Sequence, residues 1–199
     1  LAAIEEQGKL TDDLKALILA CDTKARLEDL YLPYKKRRKT KADAAREAGL
    51  EPLLDRLIAE PHGDPVVAAE AYVCDGFEDT KKALDGARAI LIDRFALDAN
   101  LVGELRETMY NTGSMESQVV QGKEQDGAKF TDYFSFAEPF TSLPSHRILA
   151  LFRGEKEGVL HLNLNAGDDD HYCGIIANQF ELDTSSSWLA DAIRWGWKT

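Results

Sequence analysis

The residues best suited to chemistry form a basic run near the start of the chain. Its six members are Lys35, Lys36, Arg37, Arg38, Lys39 and Lys41. Without these six, the chain's 24 Lys and Arg fall to 18, against 35 Asp and Glu. Because six like charges cannot all pack inside a fold, the run must form a solvated turn or arm. Each Lys or Arg that neutralises a phosphate releases counterions, so the run predicts local binding of RNA or DNA.

The same cations allow a second interpretation, in which they pair with carboxylates of the same protein. The fragment is then a docking scaffold for a protein partner or another domain, without direct contact with nucleic acid. The charge balance outside the run, 18 positive against 35 negative or −17, favours this version. In the first version, the net charge of −11 restricts nucleic-acid contact to a small area. Arg147 and Arg153 are further candidates for phosphate contact. Tyr31 and Tyr34 flank the run and either stack on bases or, as aromatic residues more often do, pack a helix end.

Five aromatic residues lie close together in the second half of the chain: Phe130, Tyr133, Phe134, Phe136 and Phe140. A base-stacking surface interleaves exposed aromatic residues with Lys and Arg. The charged neighbours of this cluster are Lys129, Asp132 and Glu138, with no Arg. The cluster is therefore predicted to pack in a core.

Two other groups have side chains of the types found in metal or catalytic sites. The first comprises Asp168, Asp169, Asp170, His171 and Cys173. It lacks the ligand spacing of a calcium loop or a zinc site and is interpreted as a solvated acidic turn. In the second, Ser145 and His146 are adjacent on a predicted helix and point in different directions, so they do not form a nucleophile–base pair. We therefore predict no catalytic residue, no metal and no cofactor, and we expect a protein that is not an enzyme.

The elements that position these residues are mainly helical. Residues 1–41 are predicted as a helical segment ending in the basic turn, and 42–112 as a compact helix-turn-helix-like unit of short helices. Residues 113–199 are predicted as a small α+β region. Strands are predicted at 115–121 and 159–164, where β-branched or alternating residues occur, and at 174–180. The predicted fold class is thus mainly α, with a small antiparallel β portion in the C-terminal half.

Composition restricts where such a protein works. Cys21, Cys74 and Cys173 are odd in number and far apart, which indicates reduced thiols in a cytoplasmic protein. No apolar run approaches the roughly 20 residues of a membrane span, so no membrane partner is predicted. The chain begins with Leu1 and already looks helical, and we expect it to be a piece of a longer protein.

Several stretches match motifs of a known family, and they occur in the family's order. They are RLEDLYLPYK at 26–35, AREAGLEPL at 45–53, GARAI at 86–90, KFTDYF at 129–134, PSHRILA at 144–150 and RGEKEG at 153–158. Together they resemble the bacterial transcription accessory protein family called Tex. The resemblance covers nearly the whole chain, although 163–187 matches no motif.

The resemblance implies an N-terminal helical part with a helix-turn-helix-like unit. In the family this part precedes a ribonuclease-H-like domain, helix-hairpin-helix elements and an RNA-binding barrel. No catalytic residue is carried over, because the family consists of nucleic-acid-binding regulators. The implied function is a non-enzymatic transcription scaffold whose partners are RNA or DNA, the transcription machinery and the remaining C-terminal domains of the same chain.

Overall fold

The computed structural model describes residues 1–35 and 38–199. It is mainly helical with a three-stranded antiparallel sheet, so the predicted fold class is confirmed. The chain divides into two compact units. The first comprises Leu1–Gly103 and Asp170–Thr199, and the second comprises Glu104–Asp169. The helix-turn-helix-like packing and the division at 1–41, 42–112 and 113–199 stay predictions.

The described helices follow one another closely along the chain. They are α1 (Ala2–Glu5), α2 (Asp12–Leu19), α3 (Lys24–Tyr31), α4 (Lys41–Glu47), α5 (Glu51–Ala59), α6 (Pro65–Glu70), α7 (Thr80–Leu97), α8 (Ala99–Thr112), α9 (Ser145–Lys156), α10 (Asp169–Gln179) and α11 (Ser187–Lys198). Short 3-10 turns lie at Leu32–Tyr34 and Ala128–Tyr133. None of these described helices is both long and apolar enough to cross a lipid bilayer.

Helix α7 lies at the centre of the first unit, where it packs against α4, α5, α6 and α11. Close packing is possible because its buried side includes the small residues Ala83, Gly86 and Ala87. The neighbouring helices fill the core with large apolar side chains such as Leu53 and Leu189. The hydrophobic effect of this burial is the main force that holds the short helices in place.

The second unit is built on a sheet with strand order β2-β1-β3, comprising β1 (Ser114–Val119), β2 (Ser135–Pro139) and β3 (Leu160–Asn165). Both pairings are antiparallel, and Ser117 lies opposite Phe136 and Leu162. Helix α9 packs against β3. The core of the second unit comprises Met115, Phe130, Leu143, Leu151, Val159 and Leu160, with Tyr133, Phe134, Phe136 and Phe140 packed against it. The predicted core role of the aromatic cluster is confirmed.

The structure corrects two predictions for the last third of the chain. Residues 174–180, predicted as a strand, belong almost entirely to α10, and Asp169 and Asp170 lie in its first turn rather than in a loop. Carboxylates near a helix N-terminus interact favourably with its dipole, so an acidic cluster can begin a helix as well as mark a turn. Tyr172, Ile176 and Ala177 are buried, at the i, i+4, i+5 spacing of a helix face, whereas adjacent residues such as Ile176 and Ala177 point to opposite faces of a strand.

Candidate nucleic-acid interface

The N-terminal side of the basic turn is fixed by α3 and the 3-10 turn that follows it. Thr23 caps α3 by accepting a hydrogen bond from the Arg26 backbone N–H. The Arg26 guanidinium donates to the Ala99 carbonyl oxygen at 2.5 Å and to Asn100 Oδ1 at 2.6 Å. Gln7 Nε2 donates to the Tyr34 carbonyl oxygen at 2.9 Å. The chain therefore enters the turn from a segment held by residues distant in sequence.

The C-terminal side of the turn is fixed by a capping box at the start of α4. The Asp43 backbone N–H donates to Thr40 Oγ1 at 3.2 Å, and the Thr40 backbone N–H donates to Asp43 Oδ2 at 2.9 Å. Farther along α4, Arg46 Nη1 lies 2.8 Å from Oδ2 of the buried Asp93 on α7. Both ends of the turn are thus attached to ordered helices.

The structure separates the predicted cations into paired and unpaired groups. The side chain of Lys39 pairs with Glu47 on α4. Lys35, Arg38 and Lys41 are exposed and form no ion pair with any residue that the structure describes. Lys36 and Arg37, also predicted as contacts, lie outside the described residues. The described part of the turn thus presents three cations whose charge no described carboxylate neutralises.

The remaining predicted cations, Arg147 and Arg153, belong to α9 in the second unit. Arg147 Nη1 lies 2.5 Å from Glu138 Oε2, and Arg153 Nε lies 2.9 Å from Glu157 Oε1. Lys129 Nζ also contacts Glu157, at 2.6 Å. Hydrogen bonds from Lys129 and then Arg153 lower the pKa of the Glu157 carboxyl below its ordinary value. Phosphate contact by Arg147 and Arg153 stays a prediction. It would require each arginine to break its ion pair with a carboxylate.

A recess beside Lys41 was missed by reasoning from the sequence. It lies on the first unit and is bordered by Phe77, from the connection between α6 and α7, and by Lys82 on α7. The one sequence signal was the dipeptide Asp75–Gly76, which is typical of a tight hairpin. That signal predicts a turn but not which helix the following aromatic residue will contact.

The geometry thus defines a mainly helical protein whose basic turn is anchored at both ends. Residues 60–199 match the family model described as "Tex central region-like". The whole chain is 50% identical to the "Transcriptional accessory protein Tex" of Neisseria gonorrhoeae, and 48% identical to "Protein YhgF" of Escherichia coli K12. The chain therefore belongs to the Tex family, as the sequence motifs predict.

The relatives are much longer than this chain. It spans 27% of the length of each of the two bacterial proteins. A more distant match is the "S1 RNA-binding domain-containing protein 1" of Pongo abelii, which is 30% identical over 85% of this chain and matches over 18% of its own length. What the whole relatives bind or do is therefore a separate question from what this segment does.

Proposed function

We propose that this chain is a non-enzymatic, nucleic-acid-binding part of a cytoplasmic transcription accessory protein, and that its basic turn contacts the phosphates of RNA or DNA. The observation that carries the proposal is the exposure of Lys35, Arg38 and Lys41 without a carboxylate partner among the described residues. The printed names of the relatives, a transcriptional accessory protein and an S1 RNA-binding domain protein, support the same class of function.

The chemistry of this contact is electrostatic and independent of base sequence. A strongly acidic body repels a polyanion, so binding is confined to the area where cations are concentrated. Each phosphate neutralised adds roughly 0.7 to the negative slope of log affinity against log salt for a single strand, and roughly 0.9 for a duplex. Three cations that each neutralise one phosphate would therefore contribute about 2 to 3 to that slope.

The test is the combined replacement of Lys35, Arg38 and Lys41 by Ala. Affinity for a labelled RNA or DNA strand is measured at several salt concentrations, and we expect weaker binding with a flatter slope. The matched control replaces Lys15, Lys24 and Lys156, which are exposed cations on other helices, and changes the net charge equally. If both triple variants bind like the unmodified chain, the turn is not the contact surface.

A second candidate function, a docking scaffold without nucleic-acid contact, is favoured by the ion pairs of the other predicted cations. Lys39, Arg147 and Arg153 all lie against carboxylates. In this case the unmodified chain should bind a labelled strand no better than an unrelated acidic protein of equal net charge. Binding clearly above that control, with a salt slope that depends on the turn, would rule this candidate out.

A further inference from the structure

The recess beside the basic turn combines an apolar floor with charged groups at its rim. Its volume is about 210 Å³. Its lining includes Lys41, Phe77, Lys82, Asp85, Gly86 and Ala89. Pockets for drug-sized ligands usually occupy roughly 300–1,000 Å³, so this recess suits a smaller group about the size of one planar ring system.

The backbone holds Phe77 in place on one side of the recess. Cys74 and Phe77 exchange backbone hydrogen bonds. The Cys74 N–H donates to the Phe77 carbonyl oxygen at 3.1 Å, and the Phe77 N–H donates to the Cys74 carbonyl oxygen at 2.9 Å. The intervening Gly76 has φ +84°, a conformation that favours glycine in a tight hairpin. On α7, a Cβ added at Gly86 would lie 2.8 Å from Phe77 Cε1. Glycine at 86 is therefore what lets the aromatic ring approach α7.

The charged residues around the recess differ in whether they already form an ion pair. Lys41 is exposed and pairs with no carboxylate in the described part of the chain. Lys82 Nζ lies 2.5 Å from Glu78 Oε2 in an exposed ion pair, so Lys82 is less available than Lys41. Asp85 Oδ1 lies 3.2 Å from Arg88 Nη1, and Asp85 remains a carboxylate on the wall of the recess. A phosphate inside the recess would face this carboxylate, so a group without charge suits the recess better than a phosphate does.

Resting on the proposed function, we propose that this recess receives one unpaired base of a single-stranded nucleic acid. The base contacts Phe77, and its adjoining phosphate lies on Lys41. Proteins that bind single strands combine a cationic surface with aromatic side chains on which bases stack. Arg38 is three residues before Lys41, so their Cα atoms are at most about 11 Å apart and neighbouring phosphates can lie on the turn. Bases within a duplex are paired and stacked, so a duplex reaches the turn but not the recess.

The experiment compares a labelled single strand with a duplex of the same length, using the full 199-residue chain. Ala89→Leu fills the recess without removing a charge, and Phe77→Leu keeps an apolar side chain but removes the aromatic ring. Base–aromatic stacking is large enough that each variant should lose about fivefold or more in single-strand affinity. The salt slope and the duplex affinity should stay unchanged. Circular dichroism and the thermal midpoint identify folded protein, and Ala89→Leu stays informative if Phe77→Leu fails to fold.

The outcomes separate the recess from the basic turn. If Lys35, Arg38 and Lys41 matter but folded Ala89→Leu binds a single strand normally, the recess proposal is wrong and the proposed function survives. If the triple variant also binds normally, both are wrong. If the unmodified chain binds a single strand no better than the duplex, the recess proposal is again overturned. Crosslinking of Phe77 to a protein and not to the strand would likewise overturn it, by assigning the recess to a peptide.

Discussion

Arg46 on α4 and Asp93 on α7 form an ion pair of 2.8 Å, in which the Asp93 side chain is only 8% exposed. The two residues are far apart in sequence, and their contact joins the helix that follows the basic turn to the central helix of the first unit. A buried carboxylate is tolerated only when a cation or hydrogen-bond donors compensate its lost hydration. This pair therefore helps to determine where α4, and with it the end of the turn, is held.

Replacing Arg46 by Ala should destabilise the protein by about 3 kcal/mol. This value is the lower end of the range for breaking a buried ion pair, because Arg46 itself is 28% exposed. The substitution removes the Arg46 guanidinium from the buried Asp93 carboxylate. Urea unfolding followed by circular dichroism measures the change. The matched control is Arg56→Ala, which breaks an exposed pair with Glu60 and should cost less than about 1 kcal/mol. Equal losses in the two variants would contradict the role of burial.

Local signals explain how much of the fold could be predicted from the sequence. Thr is a residue type that favours the N-cap position, and Thr11 and Thr23 both accept the expected backbone hydrogen bonds at the starts of α2 and α3. The strand over 159–164 alternates apolar and polar residues and corresponds to β3. These features depend on a few neighbouring residues, which is why the sequence alone predicts them.

The parts that were missed depend on contacts between distant residues. Strand β2 lies inside the aromatic cluster, where residues that favour strands also favour any core position. Lys39 pairs with Glu47 on α4, the helix that a capping box starts at Lys41. No local pattern shows which cations of a run will find a carboxylate, because that depends on where the next helix is directed.

Gly154 in α9 should resist substitution because Leu160 of β3 occupies the space beside it. A Cβ at this position would lie 2.7 Å from Leu160 Cγ, and both residues are buried. Gly154→Ala is therefore expected to cost roughly 1–3 kcal/mol through overpacking. The control is Gly174→Ala in α10, where a Cβ meets nothing within 4 Å and should be neutral or stabilising by up to about 1 kcal/mol. Thermal unfolding that ranks the two variants the other way would contradict the packing argument.

Glu157 should contribute to the acid sensitivity of the protein. Its folded pKa is lowered by hydrogen bonds from Lys129 and then Arg153, from an ordinary value of 4.5. Stabilisation by a lowered carboxyl pKa is fully present above the unfolded pKa, and is lost as the pH falls through the folded pKa. Glu157→Gln should thus be less stable than the unmodified protein above about pH 5, with the gap closing as the pH falls below 4.5.

Thermal midpoints of both proteins between about pH 2 and 7 test the Glu157 prediction. The control variant, Glu155→Gln, removes the same charge from an exposed residue two positions earlier, at the end of α9, and should lower the thermal midpoint at neutral pH less than Glu157→Gln does. A gap that stays constant for Glu157→Gln, or that widens in acid, would contradict the assigned contacts.

Glu47→Gln should strengthen nucleic-acid binding if the basic turn is the contact surface. Glu47 pairs with Lys39, so removing its charge makes Lys39 available in addition to Lys35, Arg38 and Lys41. An exposed ion pair is worth less than about 1 kcal/mol, so Lys39 can exchange partners, and we expect a few-fold tighter binding at low salt. For a single strand, the salt slope should steepen by roughly 0.7, since one more phosphate is neutralised.

The control for Glu47→Gln is Glu60→Gln, which removes an equal charge from an exposed pair with Arg56. If both variants tighten binding equally, the gain comes from net charge and not from Lys39. If Glu47→Gln weakens binding instead, the pair with Lys39 orients the turn, and a carboxylate beside the cations is then a requirement of the contact. Because both variants carry the same net charge, only the position of the lost carboxylate distinguishes them.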